Sequence, residues 1–297
     1  MPRSIRFYTR NRWVESATII TSSGSQPDSD AGEAHDPSRT QTPDLDSVWW
    51  SSGLTSVYLS ADLGQARKIG AVAFARCNLT NGGTYRIRVS SSPIFATSLY
   101  DSGTRTRTRY YGDLEIATAK TSEFFSSGTP NVDTRKLLQS QVTIVELPSE
   151  VTGQYVRIDF NDASNTDNYI GVGAVYAGRI LQPDHDLLFN WKIQRDHIVR
   201  NGQASCGQYW SASVRHRTLV EFSLAPQKEA DVLAYWFLLQ SLVGVNDPFF
   251  ISLLDRTDSW NFTTSLYARF VEVPIISAIA YRHYSMPMRV EELTSAL

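Results

Sequence analysis

The stretch Val48–Asn78, VWWSSGLTSVYLSADLGQARKIGAVAFARCN, carries two hydrophobic patterns back to back. From Val57 the apolar positions alternate through Leu59, Ala61 and Leu63, the period of a strand with one buried face. From Ile69 to Ala75 the run is nearly all apolar, as in a strand covered on both faces. Between them, Asp62-Leu63-Gly64-Gln65 supplies the glycine that a tight reversal needs. The stretch predicts two β-sandwich strands joined by a turn, with Trp49 and Trp50 at its entrance.

Strand patterns continue on both sides. Ile5–Tyr8 and Ser16–Ile20 are β-prone, and the polar, proline-bearing stretch SSGSQPDSDAGEAHDPSRTQTPDLDS after them predicts a loop lead-in draped over the sandwich. Downstream, Asn81-Gly82-Gly83 is a turn. Tyr85–Ser90, Gln141–Leu147, Tyr155–Phe160 and Tyr169–Ala177 are strands, with Gly171 and Gly173 marking a bulge in the last. Short strands separated by turn signals indicate a sandwich or jelly roll.

At Gly178 the pattern resets. Leu187–Gln194, Arg217–Leu224, Pro248–Leu254 and Leu266–Ile276 are β-like, with Pro274 suggesting an edge or a bulge. One convincing helix runs from Gln227 to about Leu242. Val232, Trp236, Leu239 and Val243 form its apolar stripe, Ala225-Pro226 its start and Gly244 its stop. The fold class is therefore mainly β. Residues 1–44 supply N-terminal strands and an extended loop, 45–178 a jelly roll, and 179–297 a β-rich domain with one packed helix.

The composition fits a globular chain: 297 residues, 42% apolar and 20% charged. A net charge of −2 gives no global drive toward nucleic acid or anionic membranes, and no apolar run suits membrane insertion. The N-terminal MPRSIRFYTRNRW lacks the apolar core of a secretory leader, so synthesis and assembly in a cytoplasm are expected. Cys77 and Cys206 are too far apart in sequence to suggest a disulfide framework.

No enzyme signature emerges. His35, His185, His197, His216 and His283 are scattered, with no metalloprotease, paired-cysteine or nucleophile-elbow motif among them. Asp184-His185-Asp186 follows Gln182-Pro183 and reads as a solvated interdomain linker. No catalytic residue, metal site or cofactor is expected. Asn161, Asp162, Asp167 and Asn168 crowd hard oxygen ligands into one loop, as calcium would need. Turn formation by Asx side chains explains the same letters and is preferred.

The pair Trp50-Ser51, the strand end Asp62-Leu63-Gly64, the run Ile69–Ala75, YVRIDF at 155–160 and YIGVGAVYAG at 169–178 together resemble the discoidin-like, galactose-binding-like jelly roll. Arg76, Asn78-Leu79 and YRIRVS-SSP look like the version found in bacteriophage tail proteins. From about Leu181 the chain is similar to the ring-forming domain of phage distal-tail or baseplate-hub proteins, with a strand opening near Asp247-Pro248 after the helix. The resemblance implies a non-enzymatic structural component of a phage tail tip, located in the virion and assembled in the host cytoplasm. It would form a homo-oligomeric ring, contact other tail proteins and display a jelly roll with affinity for host-surface carbohydrate. The rival reading is a glycan-binding or glycan-processing bacterial protein.

In that family, ligands are held by loops at one end of the sandwich, which here would carry Trp50, Arg76, Asn78, Arg107, Tyr110 and Tyr111. Flat apolar faces beside planar hydrogen-bonding groups suit sugars. For Trp49 and Trp50, packing in the core and at its edge is the preferred reading. Arg105, Arg107 and Arg109 alternate with threonines and share one face in a strand. Contact with a neighbouring subunit is preferred for them, with lipopolysaccharide phosphates or a solvated edge as alternatives.

Overall fold

The computed structural model describes residues 5–26, 35–80, 82–106, 142–188, 190–203, 209–254 and 264–293. The chain divides into two compact units. One holds residues 10–179 with 252–266, and the other holds 1–9, 180–251 and 267–297.

The first unit is built on two long strands, β4 (Val57–Cys77) and β8 (Val142–Asn161), paired antiparallel over most of their length. Each bends midway and so serves two layers. The first half of β4 pairs on its other side with β2 (Ile19–Ser22), and the second half of β8 pairs with β5 (Thr84–Ser90). β5 in turn carries β6 (Tyr100–Asp101) and β7 (Arg105–Thr106). The second half of β4 pairs with β9 (Gly171–Gly178), whose outer edge takes β3 (Trp49–Trp50). Asn11 and Arg12 close the rest of that edge, through Asn11 Nδ2 donating to the Val175 carbonyl at 2.7 Å and Arg12 N to the Ala177 carbonyl at 2.8 Å.

Side chains from both layers meet in one core. Phe74 of the second layer packs edge-on against Phe160 at 5.6 Å and Tyr85 at 5.4 Å in the first. Leu59, Ile87, Val156 and Ile158 fill the same core, as do Trp49, Val72 and Val172. The alternating half of β4 is buried on one face only, whereas Ile69 to Ala75 are wholly buried.

Two expectations for this unit change. Asp62-Leu63-Gly64-Gln65 is no reversal: β4 runs through it, with the register against β8 shifting between Asp62 and Arg67. Gly64, at φ +72, lets the strand kink from one layer to the other, and Asp62 Oδ1 accepts from its N–H at 2.9 Å. The polar stretch after β2 is also more than a drape. A 3-10 turn forms at Pro37–Gln41, capped by Asp36, and His35, Thr40 and Leu45 are buried. The hydroxyl of Thr40 accepts from the indole of the buried Trp13 at 2.9 Å. Residues 1–44 form no segment of their own, since residues 1–9 go with one unit and 10–44 with the other.

The second unit is a seven-stranded sheet. β1 (Arg6–Tyr8), β12 (Phe249–Ser252), β13 (Ser265–Phe270), β15 (His283–Glu292), β11 (Tyr209–Lys228) and β10 (Lys192–Gln203) follow one another, and β14 (Ser277–Ala280) pairs with β15. The helix α1 comprises Glu229–Asp231, a π-helical turn Val232–Trp236 and Phe237–Val243. Its stripe of Val232, Trp236, Leu239 and Val243 is buried, with Trp236 edge-on to Phe7 at 5.5 Å. Gly244, at φ +52, ends it. The helix starts two residues later than expected because β11 runs through Ala225-Pro226 to Lys228. β13 likewise stops at Phe270, before Pro274.

Candidate functional site

One end of the jelly roll gathers β3, the last residues of β4, and the loops at 35–46 and 162–170. Antiparallel pairing sets Trp50 opposite Gly171 and Trp49 opposite Val172. Successive strand side chains point to opposite faces, so Trp49 goes into the core, fully buried, and Trp50 faces outward, half-buried. Trp50 is stacked between His35, at 3.4 Å and 15°, and Tyr169, at 4.4 Å and 21°. Gly171 lies against this stack: a Cβ there would make ordinary contact with the Tyr169 ring at 3.4 Å and Trp50 Cδ1 at 3.5 Å, and a slightly tight one with Val48 Cγ1 at 3.3 Å.

Asn78 latches the loop that carries Tyr169. Its Nδ2 donates to Asp167 Oδ2 and to the Tyr169 carbonyl, each at 3.0 Å, and its Oδ1 accepts from Gly171 N at 2.7 Å. Ser51, fully buried, adds a second latch by accepting from Ile170 N at 2.8 Å. Asp162 supplies a third. Only 2% exposed, it accepts from Thr80 N at 2.6 Å, Thr80 Oγ1 at 2.7 Å and Ser164 Oγ at 3.0 Å. Asp162 and Asp167 are thus engaged as latch groups, and Asn165 Oδ1 makes a turn by accepting from Asp167 N at 2.9 Å. Among the described residues, no group of three or more His, Cys, Asp or Glu side chains converges as a metal ion would require.

Arg76 sits at φ +51, where β4 leaves the sheet. Its Nη1 donates to the Leu45 carbonyl and to Asp46 Oδ1, the latter at 2.8 Å. Burial raises the Tyr169 hydroxyl above its ordinary pKa of 10; the Asp167 charge adds to that shift and Arg76 opposes it. Tyr169, Asp167 and Arg76 therefore share one electrostatic neighbourhood.

The structure brings Trp50, Arg76 and Asn78 together at this end. Arg107, Tyr110 and Tyr111 lie outside the described residues. Trp50 has both ring faces covered, which makes it a wedge and not a platform. Both N–H donors of the Asn78 amide are spent inside the protein. The open aromatic is Tyr169, half-buried, with Trp50 the only ring against it among the described residues. Sequence reasoning named neither Tyr169 nor His35 as a site residue. Pairing the Trp49-Trp50 strand against Gly171-Val172 would have found Tyr169, two positions from Trp50's partner.

In the second unit, the Asp184–Asp186 segment is pinned where a solvated linker was expected. Asp186 Oδ1 accepts from Leu187 N at 2.8 Å and Ile5 N at 3.3 Å, and the His185 carbonyl accepts from Gln227 at 3.2 Å. Burial, then the nearby Asp184 charge, raises the Asp231 carboxyl above its ordinary pKa.

No family model and no curated protein matches the chain. Among solved structures, it is similar to a family 32 carbohydrate-binding module of a glycoside hydrolase from Clostridium perfringens, with 14% identity and a TM-score of 0.37 over 57% of this chain and 99% of that one. It is also similar to a fucose-binding module of Streptococcus pneumoniae, with 12% identity and a TM-score of 0.37 over 58% and 96%. A lectin domain of lectinolysin complexed with Lewis b antigen gives 12% identity and a TM-score of 0.36 over 58% and 97%.

Proposed function

We propose that this protein is a non-catalytic glycan-binding protein whose jelly roll receives a sugar ring on Tyr169, beside Arg76 and Asp167. The observation that carries this reading is the stack His35–Trp50–Tyr169, which ends in an aromatic face at the loop end of the sandwich. A pyranose has an apolar face that packs on such a ring and hydroxyls that pair with carboxylate and guanidinium groups. The latches from Asn78, Ser51 and Asp162 hold the loop in place before ligand arrives, which reduces the ordering cost of binding. Saturation-transfer NMR of the full chain with a panel of neutral oligosaccharides tests it. Enhancements on one sugar face that vanish in Tyr169→Ala are expected, and no transfer from any sugar at millimolar concentration would refute the reading.

A tail-tip assembly role is the second reading, and one observation favours it. In the second unit Leu233 and Phe237 of α1 are 63% and 48% exposed, and Ile275, Ile279 and Tyr281 are 64%, 53% and 83% exposed. Large apolar side chains left open in this number suit contact with another protein. Sedimentation velocity checks it: a discrete oligomer is expected, and a monomer at every concentration sinks the assembly role.

A further inference from the structure

A second cluster lies on the outer face of the first sheet, away from the loop end. Register sets Arg88 of β5 directly opposite Arg157 of β8, an arrangement of like charges that is unfavourable unless an anion lies between them. Asp159 is that anion. It accepts from Arg88 Nε at 3.0 Å and Nη2 at 2.8 Å, and from Arg157 Nε at 2.7 Å. Two guanidinium groups share one carboxylate, so one positive charge remains in excess. Arg86 does not add to it, being paired with Asp101.

Aromatic rings fix both guanidinium planes. Arg157 Cζ lies 3.7 Å from the Tyr58 ring centroid and 6.0 Å from that of Phe95, and Arg88 Cζ lies 5.5 Å from Phe95. Phe95 reaches this position at φ 55, a backbone conformation costly for a bulky residue. A plain solvated sheet face has no need of that strain. The Arg88 and Arg157 side chains are 18% and 26% exposed, enough to be reached and dry enough to strengthen their charge. Among the described residues, Arg157 donates only through Nε, so both terminal nitrogens are available to an oxyanion.

We infer that Arg157 and Arg88, held by Tyr58, Phe95 and Asp159, form a binding site for the oxyanions of an acidic glycan. A guanidinium fork matches the two oxygens of a uronate carboxylate or a sulfate ester, and stacking preorganises it. The site is separate from the Tyr169 end and extends the glycan reading to a charged class of ligand.

Isothermal titration of the full chain with polygalacturonate, dextran sulfate and neutral dextran at low and high salt tests it. Expected is binding to one or both polyanions, weakened by salt, and none to dextran. The polyanion that binds identifies carboxylate or sulfate. Arg157→Gln should weaken polyanion binding about tenfold at an unchanged unfolding midpoint. If the midpoint falls, Arg157→Lys, which keeps the charge without the fork, must still weaken binding. Tyr169→Ala should leave polyanion binding intact even where it abolishes neutral-sugar binding. Equal retention of dextran and the polyanions, wild-type affinity in Arg157→Gln, or loss of polyanion binding in Tyr169→Ala would overturn the site.

Discussion

The loop end and the outer sheet face use the same residue types in opposite ways. At the loop end the polar groups are consumed inside: Asn78 and Asp162 give their hydrogen bonds to backbone and to neighbouring side chains, and the ring of Tyr169 remains. On the sheet face the rings are consumed underneath, with Tyr58 and Phe95 against guanidinium planes, and N–H donors remain. The contrast teaches that what a surface offers a ligand is what folding leaves unspent. An exposed ring suits an uncharged sugar face, and exposed guanidinium edges suit an anion.

The contrast can be broken at its base through Phe74, which touches both layers. Phe74→Ala should destabilise the first unit by about 3–5 kcal/mol and abolish both sites, as read by urea unfolding and by titration of each ligand class. Asp162→Ala should cost about 1–2 kcal/mol, because half-buried Thr80 and exposed Ser164 lose the buried carboxylate that accepts from them and water replaces it only in part. Where the protein stays folded, that variant should lose neutral-sugar binding and keep polyanion binding. Tyr169→Ala should cost about 0.5–1.5 kcal/mol of stability, the worth of its stack on Trp50, and weaken neutral-sugar binding at least tenfold, about 1.4 kcal/mol.

The smallest effect is expected at Asp101. Its hydrogen bond from Arg86 holds its carboxyl below the ordinary 3.8. A carboxyl depressed in the folded state contributes stability above its unfolded pKa and loses it as pH falls through the folded value. The pair is substantially exposed, so Asp101→Asn should cost less than about 1 kcal/mol at neutral pH, with the difference from wild type closing below pH ~4. Chemical denaturation across pH measures it. A cost that persists in acid would remove the ion pair from the account.

Much of the mainly β architecture was legible in the sequence. The switch at Gly64 from alternating to continuous apolar residues marked a real boundary, but one between layers and not between strands. Periodicity reports which faces are buried and carries no information on whether the chain reverses. The helix stripe was read correctly because Val232, Trp236, Leu239 and Val243 bury one face whatever the local turn geometry. The π-helical turn inside it leaves no such trace. That Trp50, Arg76 and Asn78 lie at one end of the sandwich was legible because each sits at or next to a strand end; that Trp50 is sandwiched and the Asn78 amide spent was not. His35 was missed because its position depends on a polar loop folding back, and Tyr169 because its stack depends on a pairing between strands over a hundred residues apart. Phe95 was invisible for another reason: nothing in SSPIF announces a phenylalanine at positive φ.

The most direct measurement is isothermal titration of wild type and Tyr169→Ala, both as full chains, with the neutral oligosaccharide that gives the strongest NMR transfer. Saturable binding by wild type and a loss of at least tenfold in the variant are expected, with both proteins folded at the titration temperature. Equal affinity in the two proteins would contradict it.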